Sequence, residues 1–321
     1  MRVSVVVPTY RRPDLLARVL GALAEQQFPP DAFEVLVADD AASEATRRQV
    51  EAFAATARPA VRYLPVADRH GPAAARNAGW RAARGEVIAF TDDDTIPDRG
   101  WLAAGVAALG ASGAAAATGR TVVPLPEHPT DYERDASGLE GAEFVTANAF
   151  CRRDVLFSLG GFDERFAAAW REDSDLHFRL LRAGHAIVRA ADAVVVHPVR
   201  PAPWGISLKQ QRKTFFDALL YKKFPDLYRQ RIRPVPPWDY YAIVGAILVG
   251  GVAAALGAWG LVLGCAGVWA VLTGRFVARR LHRTARTPSH VAEMLATSAL
   301  IPPLSVFWRL YGSLTFRVLF L

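Results

Sequence analysis

The chain has 321 residues, enough for one large domain or two smaller ones, and 52% apolar against 21% charged types exclude a disordered polypeptide. Two cysteines, Cys151 and Cys265, exclude a disulfide scaffold and a multi-cysteine zinc site. The net charge of +7 is unevenly spread, with 15 Lys/Arg against 4 Asp/Glu in residues 201–321 and an acidic balance before them. That division argues against a nucleic-acid footprint and for a soluble module joined to a basic, apolar one, so no nucleic-acid partner is expected.

In chain order, Arg2–Pro8 is a β-branched run that Pro8 stops, and Pro13–Gln26 has helical spacing through Leu16, Leu20 and Leu23. Phe33–Ala38 reads as a second strand, and Ser43 as the cap of a helix running to about residue 57. Val61–Pro65 is a short strand, Pro72–Arg84 a helix ended by Gly85, and Glu86–Thr91 a fourth strand. Trp101–Leu109 follows as a helix and Ala116–Val123 as a further strand. Such alternation predicts an α/β fold, a Rossmann-like, mostly parallel sheet with helices on both faces. Ligands of such sheets lie beyond the carboxyl ends of the strands, where Asp39-Asp40 and Asp92-Asp93-Asp94 stand. Asp92 and Asp94 are two apart, so an extended backbone turns both to one side and Asp93 to the other. Two hard oxygen ligands on one side suit Mg²⁺ or Mn²⁺, metals that also bind substrate phosphates. No GxGxxG follows the first strand and no GxxxxGK[ST] occurs, which weakens a dinucleotide reading and removes a P-loop one.

From Tyr240 to Gly274 there are 35 consecutive uncharged residues. As one helix they would span about 50 Å against an apolar thickness of about 30 Å. Either a steeply tilted helix or two spans turning near Gly257-Ala258-Trp259-Gly260 would fit. Basic clusters on both flanks, from Lys222 to Arg233 and from Arg275 to Arg286, favour a hairpin with both ends on the cytoplasmic face. Residues 206–224 read as a basic amphipathic helix with Leu208, Phe215 and Leu219 on one stripe, suited to a headgroup surface. Met294–Leu321 is apolar again but carries Arg309 and Arg317, and Pro302-Pro303 is expected to break it; interfacial helices and a further span both stay open. No secretory leader precedes the first strand, so the soluble part is expected on the cytoplasmic side of the cell membrane. The expected division is a catalytic domain over 1–203, a basic connector over 204–236 and a membrane-associated helical region over 237–321, with a transmembrane hairpin at 240–274 and interfacial helices at 291–321. The glycine-rich spans leave self-association into a homo-oligomer open.

Five segments carry a resemblance: VSVVVPTYRRPDLL (3–16), VLVADDAASEAT (35–46), GPAAARNAGWRAARGEVIAFTDDDTIPDRGWL (71–102), TANAFCRRDVLFSLGGFDERF (146–166) and WREDSDLHFRLLRAGH (170–185). Their order over about 180 residues resembles glycosyltransferase family 2, the inverting nucleotide-sugar transferases of GT-A fold. The resemblance implies that Thr9 lines the nucleotide pocket and Asp40 accepts from the base. It places Arg76 near the donor, Asp92 near the ribose or metal, Asp94 on the metal, and His197 as a further metal ligand. Asp173 would be the catalytic base, and Asn148 and Gly161 would shape the acceptor floor. It further implies a nucleoside-diphosphate sugar as donor, Mn²⁺ or Mg²⁺ as cofactor, and a membrane lipid or polyprenyl-linked acceptor. Helix geometry alone does not choose between the adjacent Glu172 and Asp173; the family pattern selects Asp173. The QxxRW motif of the family's processive synthases is missing from 206–224, which points to transfer of single sugars. A nucleotidyltransferase and a non-catalytic membrane adaptor retaining the fold are the competing classes. No Gly-rich basic loop after the first strand favours the former, and the complete carboxylate set argues against the latter.

Overall fold

A computed structural model describes residues 2–67 and 70–321. The chain divides into two compact units, the first running to Pro124 and resuming over Ser137–Val199, the second made of Leu125–Ala136 and Arg200–Leu321.

The first unit is built on one mixed eight-stranded sheet of order β3-β2-β1-β4-β7-β6-β8-β5. Its strands are β1 (Val3–Thr9), β2 (Phe33–Asp39), β3 (Ala60–Pro65), β4 (Val87–Phe90), β5 (Ile96–Pro97), β6 (Ala116–Val122), β7 (Ala149–Arg152) and β8 (Ile187–Val196). β3, β2, β1 and β4 run parallel, as the alternation predicts. β7 then enters antiparallel to both β4 and β6, while β8 returns parallel to β6. The helices of this unit are α1 (Pro13–Ala24), α2 (Glu44–Ala54), α3 (Pro72–Ala82) and α4 (Trp101–Ser112). The second unit contributes α5 (Asp131–Ala136), and α6 (Arg153–Leu159) and α7 (Glu172–Arg182) complete the first.

Both faces of the central strands are covered, which is why β1 and β2 are almost wholly apolar and buried along their length. α1 closes one face with Leu16, Val19, Leu20 and Leu23, and Ser43 caps α2 by accepting from the Thr46 N–H at 3.1 Å. α4 lies so close to β7 that a Cβ on Gly105 would stand 2.2 Å from Phe150. Gly105→Ala is therefore expected to destabilise this unit by about 1–3 kcal/mol through overpacking, read as a fall in unfolding midpoint.

The second unit holds α8 (Ile206–Gln210), α9 (Thr214–Lys223), α10 (Pro225–Arg231), α11 (Trp238–Ala255), α12 (Trp259–Leu281) and α13 (Pro288–Phe316). Three of them, α11, α12 and α13, are long and apolar enough to cross a membrane. α11 and α12 meet at a turn where Gly257 adopts a φ of +71°, the position the sequence assigns to a hairpin. Two expectations need correction here. Pro302-Pro303 does not break the last region: α13 runs on through both, since a proline φ near −65° is helical and the loss falls on two hydrogen bonds. One 29-residue helix thus replaces the expected interfacial helices of 291–321. The connector is no separate segment either. It breaks into α8, a 3₁₀ turn and α9, and α9 packs so tightly on α13 that a Cβ on Gly312 would meet the Phe215 carbonyl oxygen at 2.6 Å.

The first boundary also departs from the expected 1–203. Residues 125–136 leave the sheet and join the second unit, because the Asp131 carboxylate there accepts from Arg280 Nε and Nη2 at 3.0 and 2.7 Å. Arg280 is itself buried, and its Nη1 donates to Thr297 and Ser298 of α13. The Ala285 N–H adds a bond to the Pro129 carbonyl at 2.8 Å.

Candidate active site

Each functional side chain stands at or just past the carboxyl end of a strand, or at the start of a helix that faces those ends. At the end of β2 two adjacent aspartates divide the work. Asp39 is fully buried and accepts from the Ala41 and Ser43 N–H groups and the Tyr63 hydroxyl, so it shapes the turn. Asp40 is partly open, accepting from the Gly71 N–H at 2.9 Å, with His70 Nδ1 at 3.1 Å from its other oxygen. Gly71 has a φ of +107° and abuts the Ala167 carbonyl, so only glycine brings that N–H to Asp40.

β4 ends at Phe90, and the three aspartates after it lie in a turn rather than in extended backbone, so the expected period of two does not set their directions. Asp93 turns inward, is 2% exposed, and accepts from Thr9 Oγ1 at 2.8 Å and from Arg12 Nη1 at 3.0 Å. Burial pushes its carboxyl above the usual range, and the Arg12 charge opposes that. Asp92 and Asp94 meet His197, which follows β8 and whose backbone N–H is held by the Val122 carbonyl, and Arg12 Nη1 also stands 3.7 Å from Asp94 Oδ2. One ligand atom from each of Asp92, Asp94 and His197 lies within 4.8 Å of the other two. Two carboxylates and an imidazole at that spacing form a donor set suited to a divalent cation that tolerates nitrogen beside oxygen. His197 Nε2 is 3.5 Å from Asp94.

Arg76 of α3 ties this corner to the next. Its side chain is 4% exposed; Nη2 donates to Asp92 at 2.7 Å and Nη1 to Glu172 at 3.0 Å. Both terminal nitrogens are thus engaged by carboxylates, while Nε has no hydrogen-bond partner among the described residues. Glu172 and Asp173 open α7 directly after Arg171, whose φ of +74° is strained for a non-glycine residue. Burial pushes Glu172 up to about 7 and raises Asp173 as well, with Arg76 pulling both back. The two carboxylates differ in access. Glu172 is clamped by Arg76, whereas Asp173 is partly exposed and accepts from the Ser174 N–H and hydroxyl.

Asn148 is fully buried. Its amide donates to the Arg120 and Ala193 carbonyls and accepts from Trp101 Nε1, so it supports the sheet beneath the cleft and touches nothing in it. Gly161, with a φ of +72°, leaves room for Asn77 and Trp80, whose side chains a Cβ would meet at 2.5 Å. Sequence reasoning missed the bridging role of Arg76 between two carboxylates and the grip of Arg12 on Asp93. The second had a signal, since Arg12 follows Thr9 by three residues past the same strand.

Comparison with known proteins agrees with this geometry. The model of Glycosyl transferase family 2 matches residues 4–163, and that of Glycosyl transferase family group 2 matches residues 87–311. Glycosyltransferase AglE of Haloferax volcanii is 30% identical over 220 residues, 65% of this chain and 70% of the relative. Validoxylamine A glucosyltransferase of Streptomyces hygroscopicus subsp. limoneus is 26% identical over 251 residues, and the match spans 65% of this chain and 52% of that protein. Among solved structures, mannosyltransferase PcManGT of Pyrobaculum calidifontis, in complex with GDP-Man and Mn²⁺, superposes with a TM-score of 0.58 at 21% identity. That superposition covers 98% of this chain and 87% of the other, and it supports a GT-A fold. With the carboxylates of two strand ends, a helix-borne acidic pair and both family models in agreement, the chain belongs to the family 2 glycosyltransferases.

Proposed function

We propose that this glycosyltransferase is membrane-attached and inverting, and moves a single sugar from a nucleoside-diphosphate sugar to a hydroxyl of a lipid-linked or cell-envelope glycan acceptor. One observation carries the reading: a single buried guanidinium, Arg76, holds Asp92 of the cation-binding trio and Glu172 of the acidic pair, so both groups serve one cleft. Asp173 is the base in this scheme, being the member of the pair left open. The acceptor oxygen forms a bond to the anomeric carbon as the bond from that carbon to the diphosphate oxygen breaks. The hydroxyl proton passes to the Asp173 carboxylate, and one displacement from the opposite face inverts the carbon. Asp40 accepts from the nucleobase, and Thr9 stands at the floor of the same pocket. Asp92, Asp94 and His197 would hold Mn²⁺ or Mg²⁺, which when bound neutralises charge on the departing diphosphate.

The three long apolar helices and their basic flanks support attachment to the cytoplasmic membrane with the catalytic unit on the cytoplasmic face. Purified protein, assayed with a panel of nucleotide sugars, Mn²⁺ or Mg²⁺, and polyprenyl-linked glycan acceptors, should release nucleoside diphosphate and label the lipid. Release of pyrophosphate instead would favour nucleotidyl transfer and sink the proposal. Asp94→Ala is expected to remove divalent-dependent nucleotide binding, measured by titration calorimetry with and without chelator; unchanged binding would refute the cation site.

The acidic pair also sets a pH dependence. A base works deprotonated, and burial raises both carboxyls, so kcat/KM should fall on acidification at a higher pH than an ordinary aspartate would give. An acid limb at or below the range of an ordinary aspartate would contradict this assignment.

A further inference from the structure

The second unit contains a buried cation that the transfer reaction does not use. Arg309, in the last third of α13, is 1% exposed, and its Nε and Nη2 have no hydrogen-bond partner among the described residues. Its guanidinium lies 4.1 Å from the centroid of the Phe320 ring. That ring is fully buried and also contacts Tyr221 and Tyr228, at centroid distances of 5.1 and 5.3 Å. The segment after α13 thus folds back over Arg309, fixed by the Ser313 hydroxyl donating to the Phe320 carbonyl at 3.1 Å.

Two more cations gather at the same end of the unit. Lys222 Nζ donates to the Phe316 carbonyl at 2.6 Å, and Arg229 Nη2 to the Leu321 carbonyl at 3.1 Å. Among the described residues, neither Lys222 nor Arg309 forms an ion pair, and Arg229 donates to the oxygen of Leu321, the last residue described. A guanidinium in an apolar helix packing is costly without an anion, and a ring face offsets only part of that cost. An ionisable residue inside a candidate span marks a functional site, and arginine is suited to bidentate binding of phosphate oxygens.

We infer that Arg309, with Lys222 and Arg229, forms a phosphate-binding site closed by Phe320, separate from the transfer site. The chemical class recognised is a phosphate mono- or diester. A lipid headgroup is its source if the long helices lie in a bilayer, a point on which this arm rests on the membrane reading; free phosphate is the other source.

Full-length protein in nanodiscs of phosphatidylcholine, with and without phosphatidylglycerol, tests the lipid arm by native mass spectrometry of retained lipid. Inorganic phosphate added to the protein in detergent tests the other by its shift in melting temperature. R309M should lower retained phosphatidylglycerol at least about fivefold, the effect of one cation on an anionic lipid, and R309K, which keeps the charge without the bidentate fork, should restore only part of it. If R309M does not fold, the K222Q/R229Q double variant, altered at less buried positions, should show the same loss. Stabilisation by inorganic phosphate that R309M abolishes supports the site with free phosphate as its ligand. Equal retention by wild type and every folded variant, together with no response to inorganic phosphate, overturns it. Flotation with neutral liposomes reports separately on the membrane reading, so the two failures are distinguishable.

Discussion

Asp173→Asn is expected to lower the transfer rate by about 10²–10⁴-fold, the usual contribution of a positioned general base. Donor binding should survive, because the nucleotide pocket proposed above, of Thr9, Asp40 and the aspartates after β4, does not include Asp173. The substitution keeps the shape and keeps an oxygen that accepts from the Ser174 N–H at 2.6 Å, so α7 retains its start. It also removes a negative charge beside the buried Glu172, which favours the ionised form of Glu172. Rate loss with unchanged nucleotide affinity and melting temperature is thus the signature of a lost base. Single-turnover measurement of sugar transfer and calorimetric nucleotide binding, performed on the same preparation, decide it. Turnover within a few-fold of wild type would remove Asp173 from the mechanism and turn attention to Glu172.

Arg76→Gln should have the largest effect on stability. The guanidinium is the shared counter-ion of Asp92 and Glu172, and removing one partner from a buried pair costs about 3–5 kcal/mol. For a domain of this size, that corresponds to a melting-temperature drop of roughly 6–20 °C. Loss of the cation also raises both acidic groups of α7 further, since Arg76 is the main lowering influence on Glu172 and, after the Ser174 N–H, lowers Asp173 as well. Whatever activity remains should therefore have its acid limb displaced to higher pH. A variant with normal melting temperature and an unmoved pH profile would show that the bridge is incidental. Lysine at this position should rescue little, since one ammonium does not reproduce two nitrogens directed at two carboxylates.

The parts of this architecture that local sequence encodes were legible, and they are those whose partners lie nearby. β1 through β4 and α1 through α3 follow from β-branched runs, helical spacing and their caps. The strand-end position of Asp40, Asp92 and Asp94 follows from the same reading, but the opposed direction expected of Asp93 does not, because these residues sit in a turn where Arg12 reaches both Asp93 and Asp94. β7 was hidden because AFCR is four residues long and its pairing with β4 and β6 joins segments about 60 and 30 residues away. The double role of Arg76 was hidden for a similar reason, since its two partners lie 16 and 96 residues on. Pro302-Pro303 misled because proline propensity describes an isolated helix, whereas α13 is held by packing against α9, α11 and α12.

The excursion of residues 125–136 carries a practical consequence. Because the polypeptide passes from one unit to the other at Pro124, returns at Ser137 and crosses again after Val199, no single cut separates catalysis from attachment. A fragment ending at Val199 would keep the twelve excursion residues and lose the Arg280 and His290 groups that satisfy Asp131. A soluble form suited to crystallisation or donor screening would instead replace 125–136 with a short polar loop between Pro124 and Ser137. The family resemblance alone would have suggested the simpler truncation, and that protein would carry a stranded acidic helix beside its catalytic sheet.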